Sequence, residues 1–267
     1  MHSKHISLIA TGVKFQLMED KGLYYFVSDV HLGLDYKDPE GRERKFASFL
    51  QNLPPQTKKL FLLGDIFDFW YEYKNVIPNK YTRVLGALAS LADRGVEIHF
   101  FNGNHDIWTY RYFEQELGII MERTQPAVFE LCGKRFCMGH GDGLDPNDTG
   151  YKLLKWLFTN RFAQRMFSAL HPRWAFGFGY SWSRHNRLSK GQQYQFKGES
   201  EPLVKFAVNF QNSRVSGDKI DYFIFGHYHY NSHCQLSCGG ELYIMGEWIN
   251  HYDYLVFDGD TVAKGYL

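Results

Sequence analysis

The chain has 267 residues, 44% hydrophobic and 22% charged with 8 prolines, which excludes disordered, collagen-like and low-complexity classes and supports one large or two small domains. The net charge of +1 hides a split: Tyr151 to Lys197 holds nine Lys or Arg and no Asp or Glu, so the remainder is acidic. No run of 18 apolar residues occurs, excluding a spanning helix, and Ile6 to Val13, short and broken by Ser7 and Thr11, is a poor secretion signal, so a cytosolic protein is expected.

In chain order, the apolar run Leu23 to Ser28 predicts a strand, and Phe46, Phe49, Leu50 and Leu53 predict a helix over Arg42 to Leu53, stopped by Pro54-Pro55. Leu60 to Leu63 is a second strand. Tyr81 to Asp93 is a second helix, on the spacing of Val84, Leu85, Leu88 and Leu91. Val96 to Phe101 is a third strand. Strands alternating with helices imply β-α-β units and a largely parallel sheet. Val128 to Cys132 and Arg135 to Met138 predict a hairpin turning at Gly133-Lys134. From Gly143 to Lys197 helical stretches are interrupted by His171-Pro172 and by Phe176-Gly177-Phe178-Gly179-Tyr180, which predicts a helical insertion. Glu201 to Ser213 is a further helix and Asp221 to Phe225 a strand. Three short strands follow around Gly239-Gly240 and Asp258-Gly259. Cys132, Cys137, Cys234 and Cys238 lack structural zinc spacing and are expected as reduced thiols in strands.

Five strand ends carry polar residues of ligand type: Asp29-Val30-His31, Gly64-Asp65-Ile66-Phe67-Asp68, Gly103-Asn104-His105-Asp106, Gly139-His140-Gly141-Asp142 and Gly226-His227-Tyr228-His229. An open α/β sheet binds ligands outside the carboxyl ends of its strands, so these ends are expected to converge. The glycines allow sharp turns and close backbone approach. Asp, His and Asn without thiolate suit manganese, iron or zinc better than a sulfur-loving ion.

These five motifs, in this order, resemble the calcineurin-like metallophosphoesterases over nearly the whole chain. The resemblance implies a four-layer α/β/β/α sandwich with two divalent cations, manganese before iron or zinc. Asp65 would bridge the ions, with Asp29, His31 and His229 completing one shell and Asn104, His140 and His227 the other. Asp68 and Asp142 match motif positions outside the ligand set. His105 would protonate the leaving group or stabilise charge, and Asp106 would orient its ring.

Residues 143–197 resemble the helical lid of one branch, the UDP-2,3-diacylglucosamine diphosphatases of lipid A synthesis. Asp148 and Tyr151 fit its Asp-x-x-Tyr at the lid entrance, and Gly246-x-Trp248 fits near the C-terminus. The core is then residues 1–142 and 198–267. The branch implies hydrolysis of an acylated UDP-sugar at the cytoplasmic face of an inner membrane, with Asn104, His105, Asp148 and Tyr151 contacting substrate and no nucleic-acid partner. Basic helices rich in aromatics suit an anionic, greasy ligand. This chain departs from the branch at His105, where Arg is usual, which keeps open another nucleotide, phosphodiester or nucleic-acid substrate.

Overall fold

The computed structural model describes residues 22–189, 196–215 and 217–267. Ile6 to Val13 and Lys190 lie outside the described residues, as do the side chains of Trp182, Arg184 and Arg187. The elements are β1 (Leu23–Val27), α1 (Pro39–Gln51), β2 (Thr57–Leu63), α2 (Thr82–Asp93), β3 (Glu97–Phe101), α3 (Tyr112–Leu117), β4 (Ile120–Glu122), β5 (Ala127–Leu131), β6 (Lys134–Gly139), α4 (Thr149–Thr159), α5 (Arg161–Ser168), α6 (Pro172–Ser189), α7 (Pro202–Asn212), β7 (Tyr222–Phe225), β8 (Ser232–Gln235), β9 (Glu241–Ile244), β10 (Asp253–Phe257) and β11 (Val262–Tyr266).

One sheet has the order β11-β10-β1-β2-β3-β4 and the other β5-β6-β7-β9-β8. β1 to β4 are mutually parallel, as are β6, β7 and β9, with antiparallel strands at the margins. Alternation along each strand sends residues to opposite faces. Val27, Leu60, Leu62 and Ile98 therefore meet Phe46 and Leu50 of α1 and Val84 and Leu88 of α2. Phe26, Phe61 and Phe101 point the other way, into a core shared with Phe136, Ile224 and Tyr243 of the second sheet. That sheet's outer face, through Phe223, Phe225 and Leu242, packs on Leu203, Val204 and Ala207 of α7. These are the four layers the family resemblance implies.

Element ends shift where local chemistry outranks hydrophobic spacing. α1 starts at Pro39 because Asp38 accepts a hydrogen bond from the Gly41 amide and proline suits the first helical turn. β2 begins at Thr57 because pairing with β1, and from Lys59 with β3, starts before Leu60, the first apolar residue of the run. The hairpin turns on Cys132-Gly133, both at positive φ, with Leu131 paired to Lys134, one residue earlier than expected. Cys132 and Cys238 consequently lie in turns, while Cys137 and Cys234 are in strands; all four are free. Four strands rather than three follow β7, and α3 and β4 had no sequence signal, being only six and three residues long.

The described part of residues 143–197, expected as an insertion, contains α4, α5 and α6, and the glycine-aromatic run does not interrupt α6. A Cβ at Gly179 would lie 2.4 Å from the Phe69 ring, so glycine there lets α6 approach the core. Among the described residues, most of the insert's aromatics fall into two sets. Phe158, Phe167, Phe176 and Tyr180 pack on Phe69, Tyr71 and Trp108, and the Trp108 indole donates to the Phe158 carbonyl at 2.9 Å. Trp156, Phe162 and Trp174 face outward, 62%, 74% and 69% exposed, with Leu153, Met166 and Phe178 also exposed.

Candidate metal centre

The ends of β1, β2, β3, β6 and β7 bring the sequence-derived candidates together at one edge of the sandwich. Asp29, His31, Asp65, His227 and His229 all adopt positive φ, between 50° and 72°. Such backbone is unfavourable for residues other than glycine and persists only where surrounding structure enforces it. Here the enforcement is visible: the Asp29 amide donates to the Gly64 carbonyl, the His31 amide to the Asp65 carbonyl, and the His227 amide to Asp29 Oδ2. Glycines complete the cradle, since a Cβ at Gly103 would lie 2.1 Å from Asp65 Oδ1 and one at Gly226 2.4 Å from Asp29 Oδ2.

Two groups of donor atoms meet on a single oxygen. In the first, His31 Nε2 lies 3.8 Å from Asp65 Oδ2, 3.7 Å from Asp29 Oδ1 and 3.1 Å from His229 Nε2. In the second, His140 Nε2 lies 3.4 Å from the same Asp65 Oδ2, 3.3 Å from Asn104 Oδ1 and 3.3 Å from His227 Nδ1. Each group draws from both sheets. The donor set fits divalent cations: Asp29 Oδ1 is buried outside hydrogen-bonding geometry, 3.2 Å from His229 Nε2. An orphaned carboxylate oxygen facing imidazole nitrogens is costly unless a cation joins them.

The surroundings fix ring orientation. His140 Nδ1 lies 2.9 Å from the Leu63 carbonyl, which directs Nε2 at Asp65, and Gln125 Oε1 accepts from the His140 amide. Burial raises Asp65's pKa, but the charges of His140 and His105 outweigh it and hold the carboxylate well below its usual range. Burial also disfavours charge on His140, yet Asp65 overrides it and pushes its pKa up to about 10. Burial and the neighbouring His140 charge push His227 down to about 4.

A pH prediction follows. Metal must displace a proton from His140 at any pH below about 10, whereas His227 is already neutral above about 4. Apparent metal affinity is expected to weaken about tenfold per pH unit from this one group as pH falls, with a proton released on binding. Calorimetry in buffers of different ionisation enthalpy measures that release; pH-independent affinity between 6 and 8 would refute it.

Asp106, expected to orient the His105 ring, accepts four backbone amides, those of Asp65, Ile66, Phe67 and Gly103, at 2.7 to 3.3 Å. Its proximity to the turns after β2 and β3 makes it their buckle. Asp106→Ala should lower unfolding free energy by about 2 to 4 kcal/mol, as buried donors lose their acceptor; an unchanged urea midpoint would contradict this. His105 is instead positioned by Asp68, whose carbonyl lies 3.0 Å from His105 Nδ1. Asp68 Oδ1 is also 3.4 Å from His31 Nδ1, so one residue sets two rings. The sequence showed it only as a second Asp three residues past Asp65.

His105 Nε2 is 4.0 Å from Asp65 Oδ2, and its side chain is 15% exposed. Among the residues at the start of the insert, Asp148, expected to contact substrate, caps α4 by accepting from the Tyr151 amide at 3.0 Å. The Tyr151 hydroxyl donates to Asp142, which also takes Lys155 Nζ at 2.6 Å, and the Tyr151 ring centroid is 6.2 Å from that of His227. The insert is thereby bonded directly to the edge of the centre. Trp248 is buried in the core against Phe46 and Phe49, and its amide donates to the Asp29 carbonyl.

Residues 23–231 match the calcineurin-like phosphoesterase family, and the chain belongs to that family. The chain is similar to a protein named UDP-2,3-diacylglucosamine hydrolase of Porphyromonas gingivalis, with 37% identity over 254 residues spanning 90% of this chain and 95% of that protein. Proteins of the same name from Hamiltonella defensa, 29% identical over 76% of each chain, and Haemophilus influenzae, 28% identical over 91% of this chain and 98% of the other, are also similar.

Proposed function

We propose that this protein is a dinuclear-metal hydrolase that cleaves the pyrophosphate of UDP-2,3-diacylglucosamine, releasing UMP and 2,3-diacylglucosamine 1-phosphate. The observation that carries the reading is the single oxygen, Asp65 Oδ2, shared by two groups of donor atoms beside an insert with outward-facing aromatics. The names of the similar proteins supply the substrate. Asp29, His31, Asp65 and His229 would hold one cation and Asp65, Asn104, His140 and His227 the other, manganese before iron or zinc; when bound, such a pair acidifies water and neutralises charge on phosphoryl oxygens.

The chain's own groups then divide the work. Asp65 fixes the relation of the two half-sites, and Asp68 holds the His105 ring beside Asp65, where it can give a proton to the departing phosphate oxygen. Asn104 serves both as ligand and as substrate contact. Residues 143–197 act as a lid over the acyl chains, on a core of 1–142 and 198–267, with Tyr151 tying it to the centre. No helix of the described residues is long and apolar enough to cross a membrane; the exposed aromatics support peripheral contact with the cytoplasmic face of the inner membrane, and no nucleic-acid partner is invoked.

The deciding experiment is manganese-dependent hydrolysis of UDP-2,3-diacylglucosamine beside UDP-N-acetylglucosamine; equal rates, or none on the acylated substrate, would sink the reading. For His105→Asn, a loss of roughly 10² to 10⁴ is expected on the natural substrate and much less on a nitrophenyl ester, whose leaving group needs no proton. Equal losses would assign His105 to positioning. His105→Arg, which restores the residue usual in the branch, should retain activity on the acylated substrate.

A further inference from the structure

His229 is the least sheltered member of its half-site. Its side chain is 33% exposed, whereas those of Asp29 and His31 are fully buried, and its φ of 53° is backbone that needs enforcement from the surrounding structure. Two residues further on, Asn231 Nδ2 donates to Asp253 Oδ2 at 2.6 Å. Asp253 is 5% exposed and opens β10 of the six-stranded sheet, whereas Asn231 directly precedes β8 of the five-stranded sheet. The bond therefore ties the His229 segment to the opposite sheet.

Gly246-x-Trp248 belongs to the same contact. A Cβ at Gly246 would lie 2.1 Å from Asp253 Oδ2 and 3.4 Å from the Asn231 Cβ, so glycine there lets the pair meet. Trp248 Nε1 donates to the Asp253 carbonyl at 2.7 Å, while the Trp248 amide donates to the Asp29 carbonyl at 3.1 Å. These contacts close a ring behind the half-site: from Asp29 through Trp248, Asp253 and Asn231 along the chain to His229, whose Nε2 returns to within 3.2 Å of Asp29 Oδ1. His140 of the other half-site is oriented separately, by the Leu63 carbonyl and Gln125.

Stability alone does not account for the pair. Asp253 Oδ1 and Asn231 Oδ1 are both buried without a hydrogen-bond partner, and a buried polar pair left half satisfied is no more stable than apolar side chains of similar size. What a hydrogen bond adds there is direction. We propose that Asn231 and Asp253 are a positioning pair that fixes His229 against Asp29 and thereby sets the affinity of that half-site for its cation. The inference rests on the two-cation reading above and concerns one half-site only.

The test is the manganese retained by the loaded protein against graded chelator, with the spin-coupled resonance of a manganese pair as a second readout. The double variant Asn231→Leu, Asp253→Leu should keep its melting temperature, lose about 10- to 100-fold in affinity for one equivalent of manganese and hold the other. Its coupled resonance should give way to that of an isolated ion at chelator concentrations where wild type keeps both. The reversed pair, Asn231→Asp with Asp253→Asn, restores a donor and an acceptor and should return the affinity to near the wild-type value. Asn231→Ala gives the same reading should the leucine pair misfold. Added to Asn104→Ala, the leucine pair should weaken the ion that remains; added to His31→Ala, it should not. If wild type holds two ions and the leucine pair holds both as tightly, or loses both equally, the positioning role is overturned and the two-cation reading stands. If wild type holds fewer than two, that reading is overturned and the positioning role with it.

Discussion

Asp65→Ala is expected to abolish activity and to reduce bound metal at both positions together, whereas His31→Ala or Asn104→Ala should deplete mainly one. The asymmetry follows from Oδ2, which lies 3.8 Å from His31 Nε2 and 3.4 Å from His140 Nε2. Asp65 is also the carboxylate that offsets charge on His140, so its removal leaves that buried ring without its main partner. Each bound cation is worth several kcal/mol of transition-state stabilisation, and 1.36 kcal/mol is a factor of ten. The rate should therefore fall by roughly 10³ or more, beyond any other single ligand change. Elemental analysis of the purified variants checks the stoichiometry; an Asp65→Ala protein that keeps one equivalent of metal and measurable turnover would refute the shared ligand.

A second large effect is expected at the outward face of the insert. Removing the insert entirely would be a poor test, because Phe158, Phe167 and Phe176 seal Phe69, Tyr71 and Trp108. The informative variant is Trp156→Ser, Phe162→Ser, Trp174→Ser, which changes only exposed side chains. Burying one large apolar side chain is worth about 1.5 to 3 kcal/mol. Two that engage acyl chains thus give roughly 10²- to 10⁴-fold in kcat/KM on the diacylated substrate. A short water-soluble phosphodiester should lose little. Equal losses on both, in a protein with unchanged melting temperature, would remove the insert from substrate recognition.

Much of this architecture was legible because the strand ends announce themselves: an apolar run closing on Gly-Asp, Gly-Asn-His or Gly-His-x-His marks both the end of the strand and the start of the centre. The candidate ligands came together because parallel strands present their carboxyl ends to the same side. What escaped was set by contacts distant in sequence. Asp106 belongs to a ligand-like motif yet serves the backbone of residues forty positions away, and no spacing rule distinguishes those roles. Asp68 acts through its carbonyl as much as its carboxylate, which side-chain chemistry does not foretell. The division of the insert's aromatics depends on which face of each helix meets Phe69 and Trp108, and Gly179, readable as a breaker, is the residue that makes that contact possible.

The origin of the donor atoms in both sheets has a mechanical consequence. Asp29, His31, Asp65 and Asn104 follow strands of one sheet, and His140, His227 and His229 follow strands of the other. Elsewhere between the sheets the contact is mainly apolar side chains such as Phe26, Phe61 and Phe136, with a few side-chain hydrogen bonds at the margin, such as the Tyr222 hydroxyl to the Asp260 carbonyl. Cations seated at the shared edge would act as a clasp, converting two stacked layers that can shear into a frame closed at one end. Metal loading and the rigidity of the sandwich would then rise and fall together.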